Sequence, residues 1–138
     1  MSSQRESALK QMVERDLDVW NEQDIAAVDD LYAADVSYHD AMGEVRDRES
    51  LKEYMRMIWT AFPDFHIDSD EMIEEGDTVV TRYTFGGTMD GPFRGFEANG
   101  ESFEMHGLAS YRFEDGMVVE SWNGTNSLAM IQQLGLLG

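Results

Sequence analysis

Residues Tyr111 to Gly135 read YRFEDGMVVESWNGTNSLAMIQQLG. Apolar and polar residues alternate up to Glu114, a turn follows, and from Met117 a β-branched and aromatic run, MVVESW, comes after it. This predicts strand, tight turn, strand, and then a short helix. Trp122 and Asn126 lie where the second strand gives way to that helix.

The turn sets which side chains meet. Glu114-Asp115-Gly116 suits a three-residue hairpin loop with Gly116 in the left-handed conformation. Phe113 then faces Met117, Arg112 faces Val118, Ser110 faces Glu120, Leu108 faces Trp122 and His106 faces Gly124. Side chains alternate between faces, so His106, Leu108, Arg112, Glu120, Trp122 and Asn126 share one face. Phe103, Met105, Tyr111, Phe113 and Val119 share the other. A two-residue Asp-Gly turn would shift the register and separate His106 from Trp122. The three-residue loop is the favoured reading. The mixed face is what a pocket needs, apolar walls with a few aimed polar groups. The apolar face would then be covered by a second subunit. The sequence leaves the reverse assignment open.

Upstream, residues 65–74, 78–88 and 101–114 also carry strand patterning. Leu9, Met12, Val13, Leu17 and Trp20 recur at helical spacing over residues 4–21. Asp24 is placed to cap a second helix with Ile25, Val28, Leu31 and Tyr32. Val36 to His39 is a short extended piece. Asp47 or Ser50 starts a third helix with Leu51, Tyr54, Met55, Ile58 and Trp59 inward, and Pro63 ends it. Helices followed by antiparallel strands make one α+β domain spanning 1–138. The loop MDGPFRGFEANG has no helix directly after its glycines, so a phosphate cradle is not supported.

Composition bounds the function. There are 28 acids against 10 bases, a formal net charge of −18, and no cysteine. Such a field repels phosphate backbones, which argues against nucleic-acid binding. The acids are scattered, and Lys10 and Lys52 are the only lysines, a composition that suits a halophilic source. No apolar run approaches the ~18 residues of a membrane span, and the N-terminus lacks a signal-peptide h-region. Together with the absent cysteines this predicts a cytoplasmic protein. Three scattered histidines match no zinc spacing, and HExxH, Gly-x-Ser-x-Gly and Walker motifs are missing.

The ordered set WNEQD, DVSYHD, AFPDF, GTMDGPFRG, YRFEDGMVVESW and QQLG resembles the SnoaL-like polyketide cyclases of the nuclear-transport-factor-like superfamily, over roughly residues 8–137. The resemblance implies a cone, a strongly curved, mostly antiparallel sheet wrapped around about three N-terminal helices with an apolar internal pocket. It also implies homodimers, formed here through the sheet, no cofactor, and an intramolecular aldol closure of a polyketide ester. That chemistry needs a base for an acidic C–H and a donor for the enolate oxygen. The family's acid is expected four residues after the last-strand Trp, where this chain has Asn126. An amide cannot exchange protons near neutral pH but can hydrogen-bond. The loop also has Thr88-Met89 where the resemblance leads one to expect Thr-His.

His106 and His39 are the candidate substitutes for the missing acid, with Asn126 binding the oxygen. His39 sits between Tyr38 and Asp40, and Asp40 either orients it or caps the next turn. Trp122, Trp59, Phe62, Tyr38, Glu120 and Arg112 are the expected binding residues. Glu120 and Arg112 also read as a structural ion pair, Arg82 and Asp70 as a cross-hairpin pair, and His66 as solvent-facing. Two functions follow. One is a cofactor-free cyclase or isomerase acting on a small hydrophobic carbonyl compound. The other is a non-catalytic binding or dimerisation module that has lost the acid.

Overall fold

The computed structural model describes residues 7–40 and 43–136. Helix α1 spans Ala8–Glu22. Ser7 caps it by accepting from the Lys10 N–H at 3.1 Å, and residues 4–6 of the expected helix lie outside the described residues. The second expected helix is shorter: a 3-10 turn at Ile25–Ala27 leads into α2 at Val28–Leu31, and Asp24 makes no side-chain cap. Tyr32 already belongs to strand β1, Tyr32–Asp40. Strand β2 is Gly43–Val45 and α3 is Arg48–Ala61, capped by Asp47. Strands β3 (His66–Glu75), β4 (Thr78–Thr88), β5 (Ser102–Glu114) and β6 (Met117–Thr125) follow, then α4 at Ser127–Gln133.

The six strands form one open sheet in the order β2-β1-β6-β5-β4-β3. All neighbours are antiparallel except β1 and β6. The fold is therefore α+β, a curved and mostly antiparallel sheet around the helices, with a cavity between them.

The β5–β6 turn differs from the expected one. Glu114 pairs with Met117 across a two-residue Asp115-Gly116 turn, with φ of 52° and 77°. These are the two left-handed residues of a type I′ hairpin, whose twist matches that of the strands. A bulge follows: Phe113 pairs with Val118 but Arg112 with Glu120, leaving Val119 as the extra residue. The bulge restores the parity that the turn had shifted. Even-numbered residues of β5 still face even-numbered residues of β6, but displaced. Ser110 faces Trp122 and Leu108 faces Gly124, while His106 pairs with Thr84 of β4.

The two faces are reversed relative to the expectation. Along β5, Phe103, Met105, Ala109, Tyr111 and Phe113 are buried, whereas Glu104, His106 and Leu108 are exposed. The apolar face turns toward the helices of the same chain, so no second subunit is needed to cover it. The mixed face is the outside of the sheet. The helices complete the core through Val13, Leu17, Leu51, Met55 and Phe62. The Trp59 indole N–H donates to the Trp20 carbonyl at 3.0 Å, tying α3 to α1. No helix among the described residues is long and apolar enough to cross a membrane.

Candidate functional site

Every second residue of the curved sheet points inward, and the inner face is rich in rings. Trp20, Ile58, Phe62, Phe65, Tyr83, Phe85, Phe93, Phe103 and Tyr111 line a cavity of about 100 Å³. The rings meet largely edge-on, as Phe62–Phe93 (5.2 Å) and Phe62–Phe103 (5.1 Å) do. Gly107 explains one of them: it pairs with Tyr83, and a Cβ at 107 would sit 2.7 Å from the Tyr83 ring. The missing side chain lets that ring lie across β5 into the cavity.

A second recess of about 270 Å³ adjoins the first and shares Tyr38, Asp40 and Tyr54 with it. Gly43, Glu44, Val45, Met57 and Arg94 complete its walls. Cavity and recess together reach the lower end of the range for small-ligand sites.

The polar groups are few and converge. Asp40 ends β1 with its side chain on the inner face and accepts a hydrogen bond from the Tyr54 hydroxyl. Burial raises the Tyr38 and Tyr54 hydroxyls well above the usual phenol range, and pushes Tyr83 up to about 12. All three therefore stay protonated at neutral pH and can donate. Asn123 gives its amide nitrogen to the His39 carbonyl at 3.2 Å. Thr125 Oγ1 is buried, belongs to a residue on the cavity wall, and has no hydrogen-bond partner among the described residues. A buried hydroxyl in that condition is suited to a ligand's polar atom.

Beneath the cavity lies a buried carboxylate. Asp16, 1% exposed, accepts from the Tyr32 hydroxyl at 2.8 Å and the Tyr111 hydroxyl at 2.7 Å. Burial raises its pKa to about 6, against the lowering effect of those two hydrogen bonds.

Of the residues expected from sequence, Tyr38 and Phe62 line the cavity. Trp59 is buried in the core behind it and is not part of the wall. The others are elsewhere. Trp122 is 55% exposed on the outer face, stacked on the His39 ring at 3.7 Å and 8°. His39 Nδ1 meets Glu44 at 2.9 Å, and its Nε2 lies 3.7 Å from Glu120. Arg112 is directly opposite Glu120, at 3.3 Å, and also holds Glu114 at 2.6 Å, so that pair is structural. His106 is exposed and bonded to Thr84 at 3.1 Å. Asn126 is the cap of α4, its Oδ1 accepting the Ala129 N–H at 3.1 Å. The proposed wall of His106, Arg112, Glu120, Trp122 and Asn126 is thus not a wall of this cavity. Alternation on a curved sheet puts four of them outside, and the fifth is taken up by the helix start. Arg82 does pair with Asp70, at 3.7 Å, and His66 is exposed.

The family profile of the SnoaL-like polyketide cyclases matches residues 10–134. The chain belongs to the SnoaL-like polyketide cyclase family. Solved structures agree with this SnoaL-like assignment. IdmH of Streptomyces antibioticus, proposed to be a polyketide cyclase, is 28% identical with a TM-score of 0.81, covering 92% of this chain and 98% of its own. TsrD of Streptomyces laurentii is 26% identical with a TM-score of 0.85, covering 95% and 97%. AclR of Streptomyces galilaeus, proposed to be a hydroxylase, is 27% identical with a TM-score of 0.82, covering 94% and 97%. The comparison with curated proteins finds no match. The cavity of this SnoaL-like chain lies between helices and sheet, and its carboxylate comes from β1 and not from the β6–α4 junction.

From sequence, Asp40 reads as a partner of His39 or a turn cap and not as a proton acceptor, Tyr54 and Tyr111 read as apolar-face rings and not as hydroxyl donors, and Tyr83 does not stand out. Tyrosines at inward positions read as core, because pattern weighs the ring and not the hydroxyl. Asp40 did carry a signal, since it is two residues from Tyr38 on the same face of β1.

Proposed function

We propose that this protein binds a small hydrophobic carbonyl compound in the aromatic cavity and enolises it with its own side chains. The Asp40 carboxylate takes a proton from the carbon beside the carbonyl. The C–H electron pair moves into the new C=C bond, and the carbonyl π pair moves onto oxygen. The resulting enolate oxygen is met by the protonated hydroxyls of Tyr38 and Tyr83, while Tyr54 donates to Asp40. The enolate carbon then attacks a second carbonyl, which is cyclisation, or is reprotonated elsewhere, which is isomerisation. Either way Asp40 returns the proton. The observation that carries this reading is one carboxylate, steadied by Tyr54, and the phenol hydroxyls of Tyr38 and Tyr83 converging on a largely aromatic cavity. The proposed cyclase role of the similar IdmH supports it.

A second reading is a binding protein without catalysis. It is favoured by Asn126, an exposed helix cap at the place where the family resemblance leads one to expect an acid. Exchange in deuterated water separates the two. A panel of apolar β-keto esters is incubated with the protein, and loss of the α-proton signal is followed by NMR. Accelerated exchange in at least one ester is expected. Tight binding of esters with no exchange above buffer in any of them would leave the binding reading standing.

A further inference from the structure

The recess outside the aromatic cavity has one feature that enolisation alone does not use. Residues Phe93 to Phe96 form a tight hairpin turn, with the Phe93 N–H donating to the Phe96 carbonyl at 3.0 Å and the reverse bond at 2.9 Å. The two central residues are left-handed, Arg94 at φ 52° and Gly95 at φ 85°. Glycine takes that conformation freely, and Asn or Asp tolerates it. An arginine there carries local backbone strain, of the kind that accumulates at binding sites.

The turn is firmly held. The N–H groups of Asp90 and Gly91 both donate to the Ala61 carbonyl at the end of α3, at 3.0 and 3.1 Å. Gly91 is pressed against α3, where a Cβ would lie 2.1 Å from the Thr60 carbonyl oxygen. At the other end of the loop, Asn99 donates to the Leu134 carbonyl at 2.8 Å. This anchored loop seats Phe93, 3% exposed, in the inner cavity, and places the next residue, Arg94, on the wall of the recess.

Charge distinguishes Arg94 from its surroundings. Glu44, on the same wall, is already engaged by His39 and by Arg46, each at 2.9 Å. Asp40 is engaged by Tyr54. Arg46, Arg48, Lys52, Arg82 and Arg112 all sit in ion pairs. Arg94, like Lys10, Arg15 and Arg56, has no carboxylate partner among the described residues, and of these four it alone lines the cavity or the recess. In a chain of net charge −18, a guanidinium left without an acid at a cavity mouth is a site for an anion from outside.

We propose that Arg94 sets the ligand's polar end: the compound bound here has an apolar body in the aromatic cavity and a carboxylate in the recess, gripped by the Arg94 guanidinium. The planar fork of arginine matches the two oxygens of a carboxylate. The proposal rests on the pocket assignment made above and adds the ligand's charge to it.

Calorimetric titration of naphthoate and of its uncharged counterpart naphthamide tests it, on the full chain and on Arg94→Asn. Asparagine accepts the left-handed conformation, so the variant should melt at a higher temperature than wild type. Wild type is expected to prefer naphthoate by about 10- to 100-fold, the worth of a charged hydrogen-bonded contact. Arg94→Asn should lose that preference while keeping its affinity for naphthamide. Equal binding of the two compounds by wild type, or a naphthoate preference that survives in Arg94→Asn, would overturn the role of Arg94 and leave the pocket assignment intact. Binding of neither compound would overturn both.

Discussion

Asp40→Asn is expected to lower α-proton exchange in apolar β-keto esters by about 10²- to 10⁴-fold, the usual contribution of a positioned general base. The substitution keeps the size of the side chain and its ability to accept from Tyr54, but removes the capacity to take up a proton. Ligand affinity should change little, because the aromatic walls that dominate contact are untouched. The expected pattern is a lower kcat with KM nearly constant. The outward histidines supply the control. His106→Ala should leave exchange unchanged, since His106 is exposed and bonded to Thr84 outside the cavity. Loss of exchange in His106→Ala with retention in Asp40→Asn would reverse the assignment of the base.

The second large effect concerns stability and pH. Asp16 titrates at about 6 in the folded chain against an ordinary 3.8. Between those values the folded state binds more protons than the unfolded state, so stability falls as pH rises through that interval. Below pH ~4 both states are protonated and the burial cost vanishes; above pH ~6 it is fully present. The shift corresponds to on the order of 3 kcal/mol. Asp16→Asn removes the charge and leaves hydrogen-bonding capacity for the Tyr32 and Tyr111 hydroxyls. Urea unfolding of both proteins across this range should show the variant gaining on wild type by about that amount from pH 4 to pH 7. Other titrating groups, including those at Asp29 and Asp47 whose hydrogen bonds hold them low, cancel in the difference. A difference independent of pH would contradict a buried, titrating Asp16.

Most of the fold was legible because the strands announce themselves. The four long strands were read to within about a residue at each end, and Pro63 did follow the end of α3. The β5–β6 loop was misread because Glu-Asp-Gly serves both a three-residue loop and a type I′ turn preceded by Glu114. Nor does Val118-Val119 betray a bulge, since both residues are apolar and either could be the extra one. The two errors cancelled in parity, so the grouping of β5 and most of β6 into faces survived while the pairings moved. The assignment of those faces did not survive. A mixed face was taken for a pocket, yet a curved sheet turns its apolar face to the helices, and the polar atoms of this cavity are mostly hydroxyls on rings, one acid at the end of β1, and the Asn123 and Thr125 side chains of β6. Asn126 looked like a vacant catalytic position; locally it is a good helix cap, and capping is what it does. Strand β2 escaped because three residues carry too little pattern to register.

The central claim is that ligand chemistry takes place on the inner face of the sheet. A crystal structure with an unreactive apolar β-dicarbonyl compound tests it most directly. The compound should lie among Phe62, Tyr83, Phe93 and Tyr111, with an oxygen within hydrogen-bonding distance of a tyrosine hydroxyl and its acidic carbon turned toward Asp40. Density for the compound on the outer face, against Trp122, His39 and His106, with the inner cavity unoccupied, would contradict the account.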